Sequence, residues 1–262
     1  MSGDLVSQLK ARGAVFAALV AMILAPSAYA VSGNNFTEEF HKTVPLNATG
    51  RVSLENVNGN VEITGWDKNE VQIDAVKSAR DQERLDEAKI EVEGSGDAVH
   101  IRTRYPEGRT NNNPASVHYT LRVPSGAQLD KIELVNGGLE ISQVLGEVNA
   151  SLVNGKLVAH DLSGRAKLST VNGSSTVEYR SLANVSDIRI SAVNGSINLV
   201  LPASPNAQIS ASTVNGGIKT DFPIQVESGF TGRRLSGTLG SGGTRIDLSN
   251  VNGSTHIGPA GM

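Results

Sequence analysis

The sequence predicts an all-β fold, a single-stranded parallel β-solenoid that carries a strand-and-helix cap insertion near its N-terminus. Two observations lead to this prediction. The tripeptide Val-Asn-Gly occurs seven times in 262 residues, and apolar and polar residues alternate on both sides of each copy. Alternation with a period of two is typical of half-buried strands, and a unit that recurs at a regular interval is typical of stacked repeats.

The repeat extends beyond the tripeptide itself. The residue three positions before each valine is apolar in all seven copies, and the residue five positions before is apolar in six, with Asp130 as the exception. Aliphatic residues also dominate four and six positions after the valine. We therefore expect each repeat to be a strand, a turn and a second strand. The copies begin at Val57, Val135, Val153, Val171, Val193, Val214 and Val251.

Two architectures are compatible with this pattern. Asn-Gly between alternating strands is a strong hairpin signal, which would give an antiparallel β-sandwich or meander. The outward positions favour the solenoid instead, because the residue two positions before the valine is serine in the last five copies, from Ser151 to Ser249. A solenoid stacks like residues on like, so the asparagines should form an amide ladder at one corner. These ladder residues are Asn58, Asn136, Asn154, Asn172, Asn194, Asn215 and Asn252.

Residues 1–30 have the features of a secretory signal peptide. Lys10 and Arg12 precede an apolar run from Ala14 to Ala25, and Ala28-Tyr29-Ala30 supplies small residues for cleavage. The run is shorter than the roughly 20 residues that span a bilayer. We therefore expect an exported protein, located in the periplasm, on the cell surface or secreted.

The remaining chain divides into a polar lead-in at 31–45, a solenoid domain at 46–258 and a tail at 259–262. An insertion at about 68–125 separates the first two copies of the repeat. It is predicted to contain a charged helix over Asp81–Ala88, several strands and a loop over Tyr105–Ala115. This insertion either covers the open end of the solenoid or recognises a ligand. A second interruption, Pro223–Gly243, precedes the last copy.

Composition excludes several kinds of site. The chain has no cysteine, which excludes disulfides, thiolate metal sites and cysteine nucleophiles. Lys+Arg 23 against Asp+Glu 26 gives no net basic charge to attract nucleic acid. The nucleophile-elbow, phosphate-loop and zinc-protease motifs are absent, and the five histidines lack ligand spacing. We expect no cofactor and no metal.

Four residues are candidates for a binding site. Lys131, Lys167 and Arg189 stand four positions before their valines and would form a basic strip near Asn149. No carboxylate pair accompanies these bases in the repeat, which argues against acid–base catalysis there. Trp66, the only tryptophan, could stack on a sugar ring or cover a corner of the solenoid.

The chain resembles the exported bacterial family known as "putative adhesin", whose function is unknown. The resemblance rests on Gly59–Asp67 (GNVEITGWD), the charged helix after Val71–Lys77, Tyr119–Pro124 (YTLRVP), the Val-Asn-Gly coils and a glycine-rich segment before the last coil. It covers about residues 50–258. It implies a solenoid-like fold and export, and it carries over no catalytic residues.

The sequence favours an exported, non-enzymatic binding, adhesion or scaffold module of the cell envelope, with a glycan or an envelope protein as partner. One alternative is a carbohydrate-active enzyme built on a β-helix. The other is an assembly protein that pairs through the exposed edge of its last coil. The sequence leaves the ligand and the oligomeric state open.

Overall fold

The computed structural model describes residues 30–32, 35–106, 114–224, 226–228 and 232–260. Residues 1–29 of the predicted signal peptide therefore lie outside the described residues, as do 107–113 of the predicted loop and the last two residues of the predicted tail.

The described residues form twenty strands and one short helix. The strands are β1 (Ala30–Ser32), β2 (Asn35–Asn58), β3 (Val61–Trp66), β4 (Glu70–Ala79), β5 (Lys89–Arg104), β6 (Ser116–Pro124), β7 (Gln128–Asn136), β8 (Leu139–Ser142), β9 (Val148–Asn154), β10 (Leu157–His160), β11 (Ala166–Asn172), β12 (Ser175–Glu178), β13 (Asp187–Asn194), β14 (Ile197–Leu201), β15 (Ala207–Asn215), β16 (Ile218–Thr220), β17 (Val226–Ser228), β18 (Arg233–Leu239), β19 (Thr244–Asn252) and β20 (Thr255–Pro259). Helix α1 spans Gln82–Glu87.

The all-β solenoid prediction is confirmed. The strands before the tripeptides build one sheet, sheet B, and the strands after them build a second, sheet A. In both sheets, neighbouring repeats pair in parallel and in register, so that Leu168 lies between Ala150 and Ile190. Each Val-Asn-Gly joins a strand of sheet B to a strand of sheet A, and the two strands that it joins do not pair with each other. The hairpin alternative is therefore wrong.

The glycine of the tripeptide is required by stacking. Gly155 and Gly173 have φ angles of 150° and 152°, a backbone conformation that side chains disfavour. A Cβ on Gly173 would also collide with the carbonyl oxygen of Gly155 in the coil below, and a Cβ on Gly155 with that of Gly137. Glycine thus lets the chain turn between the sheets while adjacent coils remain in hydrogen-bonding contact.

The predicted inward columns are buried. Leu54, Ile132, Leu168, Ile190 and Leu248, which lie three positions before the valine, are at most 3% exposed. The misfit at Asp130 has a local cause. Sheet B shifts register there, with Val52 opposite Leu129 and Ser53 opposite Lys131, so Asp130 is the extra residue of a bulge and Leu129 takes the inward place.

The asparagines of the tripeptides form one continuous row of side-chain hydrogen bonds. Each except Asn58, which only accepts, donates its Nδ2 to the Oδ1 of a neighbouring asparagine, at distances of 2.8 to 3.0 Å. In spatial order, the row runs Asn58, Asn136, Asn154, Asn172, Asn194, Asn252 and Asn215.

The stacking order departs from the chain order at the far end. Strand β19 lies between β13 and β15, and β20 lies between β14 and β16. The last repeat is therefore inside the stack, which corrects the expectation that its edge is exposed. Strand β18 from the second interruption pairs antiparallel with the outer side of β15, and β17 pairs with β18.

The insertion extends both sheets beyond the first coil. In sheet A, β4 pairs antiparallel with β2 and β6, and in sheet B, β5 pairs parallel with β2. Helix α1 begins after Asp81, whose carboxylate accepts a hydrogen bond from the backbone N of Arg84 at 2.9 Å. Buried Lys77 donates to the Leu85 and Ala88 carbonyls and pairs with Glu38 on β2 at 2.8 Å, which ties the helix to the sheet.

The predicted polar lead-in is not separate from the domain. From Asn35 onward it is the first part of β2, which runs without interruption through position 45. Val44 and Leu46 are buried, and Phe40 packs against the core. The alternation of these three apolar residues makes the segment an edge strand of the cap, although its composition is polar.

Replacement of an inward residue should unfold the stack locally. We expect Leu168→Asp or Ile190→Asp to lower the free energy of unfolding by at least about 3 kcal/mol, because each buries an unpaired charge. Chemical denaturation followed by circular dichroism measures the effect. Ser169→Asp, on the outer face of the same strand, is the matched control and should change stability by less than about 0.5 kcal/mol. Equal stability of the inward and outward variants would contradict the assignment.

Interruption of the asparagine row should have a smaller effect. Asn172→Ala removes one hydrogen bond to Asn154 and one from Asn194, which should destabilise the fold by about 1–2 kcal/mol. Asn149→Ala, on the outer face of β9, removes the same amide outside the row and should be nearly neutral. A comparison of the two midpoints in urea tests the contribution of the row.

Candidate binding surface on the outer face of sheet B

The outer face of sheet B presents three parallel columns of side chains. Because neighbouring strands are in register, residues at equal distance from the tripeptide stack at about 4.8 Å. The columns lie four and two positions before the valine and at the valine itself, since alternate residues of a strand share one face.

The middle column is serine over five adjacent strands. It comprises Ser151, Ser169, Ser191, Ser249 and Ser212, in spatial order. Short side chains leave a shallow groove of about 330 Å³ here. Lys167 and Arg189 lie beside its serines, together with Ser210 and Asp247.

The valines form an exposed apolar row next to the serines. Six of them are 38–55% exposed, and the similar exposure follows from their identical position in each coil. The six are Val135, Val153, Val171, Val193, Val251 and Val214. A continuous apolar row on the surface is a feature of many binding surfaces.

The three predicted basic residues lie in one column but differ in their surroundings. Lys131 Nζ lies 2.7 Å from Glu55 and 3.1 Å from Glu133, and these carboxylates compensate its charge. Arg189 Nε lies 3.1 Å from Asp187. Lys167 neighbours Asn149 and Arg189 and forms no ion pair with another residue in the described part of the chain. The free positive charge of the column is therefore concentrated at Lys167, inside the groove.

Stacking also adds a carboxylate from a neighbouring coil to two of the bases, Glu55 to Lys131 and Asp247 to Arg189, which reasoning from a single repeat missed. Glu55 and Glu133 both contact Lys131, and Arg189 lies between Asp187 and Asp247, at 3.1 and 3.9 Å. A general acid must hold a proton at working pH. The hydrogen bond from Lys131 instead lowers the pKa of Glu55. This carboxylate is a counterion, not a proton donor.

Trp66 lies apart from the basic column, at the end of β3 in sheet A. Its Nε1 donates to the Glu70 carbonyl oxygen at 2.9 Å, and the Lys68 ammonium lies 4.7 Å from the ring centroid. The ring lines a cleft of about 420 Å³ at the corner of the solenoid, together with Leu145, which is 54% exposed. The indole thus holds the β3–β4 turn, and the lysine occupies part of the surface that a sugar would need for stacking.

Two further features concern possible ligands and the membrane. Within the described ranges, no three His, Asp or Glu side chains are grouped so that they could hold a metal ion. The helix that the structure describes has six residues and is too short to cross a bilayer.

The ion pairs of Glu55 predict that the free energy of unfolding depends on pH. Its pKa is lowered from the ordinary value of 4.5 by Lys131 and, to a smaller extent, Arg102. The pairing therefore stabilises the fold above about pH 4.5 and is lost as the pH falls through the lowered pKa. The gain should be under about 1 kcal/mol because the side chains are partly exposed.

We expect Glu55→Gln to flatten the dependence of unfolding free energy on pH between about 5 and 3. Glu62→Gln, on the outer face of β3, is the control and should leave that slope unchanged. Thermal melts of both variants across this range provide the measurement. An identical slope for wild type and Glu55→Gln would show that the ion pairs contribute nothing.

Comparison with solved structures finds matches at low sequence identity. A crystal structure of a "putative cell adhesion protein" from Clostridium sporogenes is 18% identical and matches 85% of this chain and 99% of that chain, with a TM-score of 0.49. A "putative adhesin" from Bacteroides fragilis is 12% identical over 84% and 96%, with a TM-score of 0.34. A "putative lipid binding protein" from Parabacteroides distasonis is 12% identical over 86% and 95%, with a TM-score of 0.34.

Comparison with curated proteins gives no match. A family model, in contrast, matches most of the sequence, from residue 28 to residue 258. This range contains all seven repeats and the insertion. The chain belongs to the Toastrack DUF4097 family.

Proposed function

We propose that the protein is an exported, non-enzymatic binding module of the cell envelope and that it binds its ligand on the outer face of sheet B. The observation that carries the proposal is the groove around Lys167. It combines an uncompensated positive charge, a row of serine hydroxyls and a neighbouring row of exposed valines. Export is supported by the basic, apolar and small-residue segments of positions 1–30.

The chemistry of the groove fits a linear acidic glycan. The serines repeat at the strand spacing of about 4.8 Å, so a polymer that crosses the strands meets the same hydroxyl at each coil. Lys167 and Arg189 supply charge for a carboxylate or sulfate group of the polymer. The valines offer apolar contact to the carbon-bound faces of sugar rings. Each contact is weak and exposed, so we expect binding to depend on the number of repeats engaged.

A binding role is favoured over catalysis by the state of the carboxylates. Glu55 and Glu133 face Lys131, and Asp187 and Asp247 face Arg189. Hydrolysis of a glycoside needs one protonated and one ionised carboxyl group. The hydrogen bond from Lys131 lowers the pKa of Glu55, and Asp187 and Asp247 both lie beside Arg189, so neither pair is arranged to provide the acid.

The binding test uses the full-length secreted protein and two probes, polygalacturonate as the acidic polymer and dextran as the neutral one. We expect Lys167→Ala/Arg189→Ala to weaken binding to polygalacturonate at least tenfold and to reduce its salt dependence. Lys89→Ala/Lys219→Ala, which removes two positive charges outside the groove, is the matched control. Retained affinity in the groove variant, or equal binding of dextran, would contradict the proposal.

The same incubations distinguish binding from turnover. We expect polygalacturonate to be recovered at its original length, as measured by size-exclusion chromatography. Shortened products that disappear with the groove variant would establish the carbohydrate-active alternative instead.

A further inference from the structure

The last repeat occupies a slot between two coils that follow each other directly in the chain. We call residues 244–260, which comprise β19 and β20, the seventh coil. In sheet B it pairs with β13 and β15, and in sheet A with β14 and β16. Strands β13 and β15 do not pair with each other. The slot is therefore a gap one strand wide, and it passes through both sheets.

The slot is specific for the sequence of the seventh coil. Ile246, Leu248 and Ile257 are at most 3% exposed and complete the inward columns of the coils on either side. Asn250, which is 2% exposed, donates to the Gly195 carbonyl oxygen at 2.9 Å. Asn252 donates to Asn194 and accepts from Asn215, so it connects the asparagines of the two neighbouring coils.

The neighbouring coil depends on this insertion. Among the described strands, β15 pairs only with β18 and β19, and β16 pairs only with β20. The described strands between residues 207 and 239 therefore pair with the rest of the stack only through the seventh coil. Until a seventh coil is in the slot, the last part of the solenoid cannot close.

A short glycine-rich linker connects the seventh coil to β18. Ala207, the first residue of β15, pairs with Leu239 on one side and with Thr244 on the other. Residues 240–243 therefore cross from one side of β15 to the other. Gly240, Gly242 and Gly243 have φ angles of 59°, 79° and 123°, which other residues rarely adopt. Ser241 is held by Asn206, whose Oδ1 accepts from its backbone N at 3.0 Å.

We propose that the seventh coil exchanges between two copies of the protein, so that each copy fills the slot of the other. The partner is a second copy because the slot is complementary to residues 244–260 and every contact can form between copies as it does within one. The linker is the hinge. A copy whose slot is empty exposes unpaired strand edges on both sides of the gap. Two such edges that face each other favour the binding of a matching strand between them.

The absence of cysteine from the chain allows a direct test. Ser191 and Ser249 are neighbours on β13 and β19, and Cα atoms in paired strands are close enough for a disulfide. Full-length Ser191→Cys and Ser249→Cys are mixed, unfolded together in reductant, refolded at high concentration and then oxidised. Exchange predicts a disulfide-linked heterodimer that contains one chain of each kind.

The control pair is Ser169→Cys with Ser191→Cys. These positions are also neighbours, on β11 and β13, but both coils lie outside the exchanging segment. This mixture reports accidental cross-linking through exposed thiols. The double variant Ser191→Cys/Ser249→Cys in one chain shows that the pair can bond when the chain folds at low concentration. A heterodimer yield that does not exceed the control at any concentration would overturn the proposal.

A shortened linker provides an independent measurement. Deletion of Ser241 and Gly242 leaves too little chain to pass over β15 comfortably, since about 10 Å must be spanned between the strands on its two sides. The shortened chain can still place its seventh coil in a second copy. We expect light scattering to show a shift from monomer to dimer, with the circular dichroism of the wild type. A folded, strictly monomeric shortened chain would contradict exchange.

Discussion

The fold depends on in-register parallel stacking of the coils. Backbone hydrogen bonds hold adjacent strands at about 4.8 Å, so side chains at equivalent positions of neighbouring coils are in contact. Every position in the repeat must therefore accept a copy of itself or of a similar residue on both sides. The tripeptide satisfies this requirement at the corner, since asparagine can donate to one neighbour and accept from the next, while Gly173 leaves room for the carbonyl oxygen of Gly155.

The same requirement shapes the outer surface. Like charges that stack at this distance repel and need a nearby counterion. Glu55 and Glu133, which are opposite each other, share Lys131, and Arg189, which stacks on Lys167, lies beside Asp187 and Asp247. Serine and valine stack without penalty and form continuous rows. The proposed binding groove follows from these limits on stacking, because it forms where a column of small serine side chains lies beside a column of longer basic ones. A surface of this kind offers many identical weak contacts in place of one deep pocket.

Solenoids have ends, and the two ends of this one are completed differently. At the first coil, an insertion of about 60 residues extends both sheets, and buried Lys77 anchors the helix that accompanies it. At the far end, β18 returns antiparallel along β15, and β17 pairs antiparallel with the outer side of β18. That return leaves the seventh coil to fill the stack from within. The repeat thus provides the interior, and the irregular segments provide the edges.

The repeat, the strand alternation and the inward columns follow from the sequence alone, because a period of two and a recurring tripeptide reflect local geometry that each coil must satisfy. The sequence also placed the asparagines and serines in columns. It did not determine the order of the coils, because the pattern that the repeats share does not show which of them are neighbours, and β19 comes to lie between β13 and β15 only in the folded chain. The polar composition of residues 31–45 predicts one strand at most and does not show its partner, whereas in the structure Phe40 and Val44 pair with Ala75 and Val71 of β4 and pack on the core. Of the carboxylates beside Lys131 and Arg189, Glu133 and Asp187 are on the same strands as these bases, whereas Glu55 and Asp247 come from strands distant in the chain. Only the tertiary structure brings them together, because contacts between coils depend on which coils are adjacent.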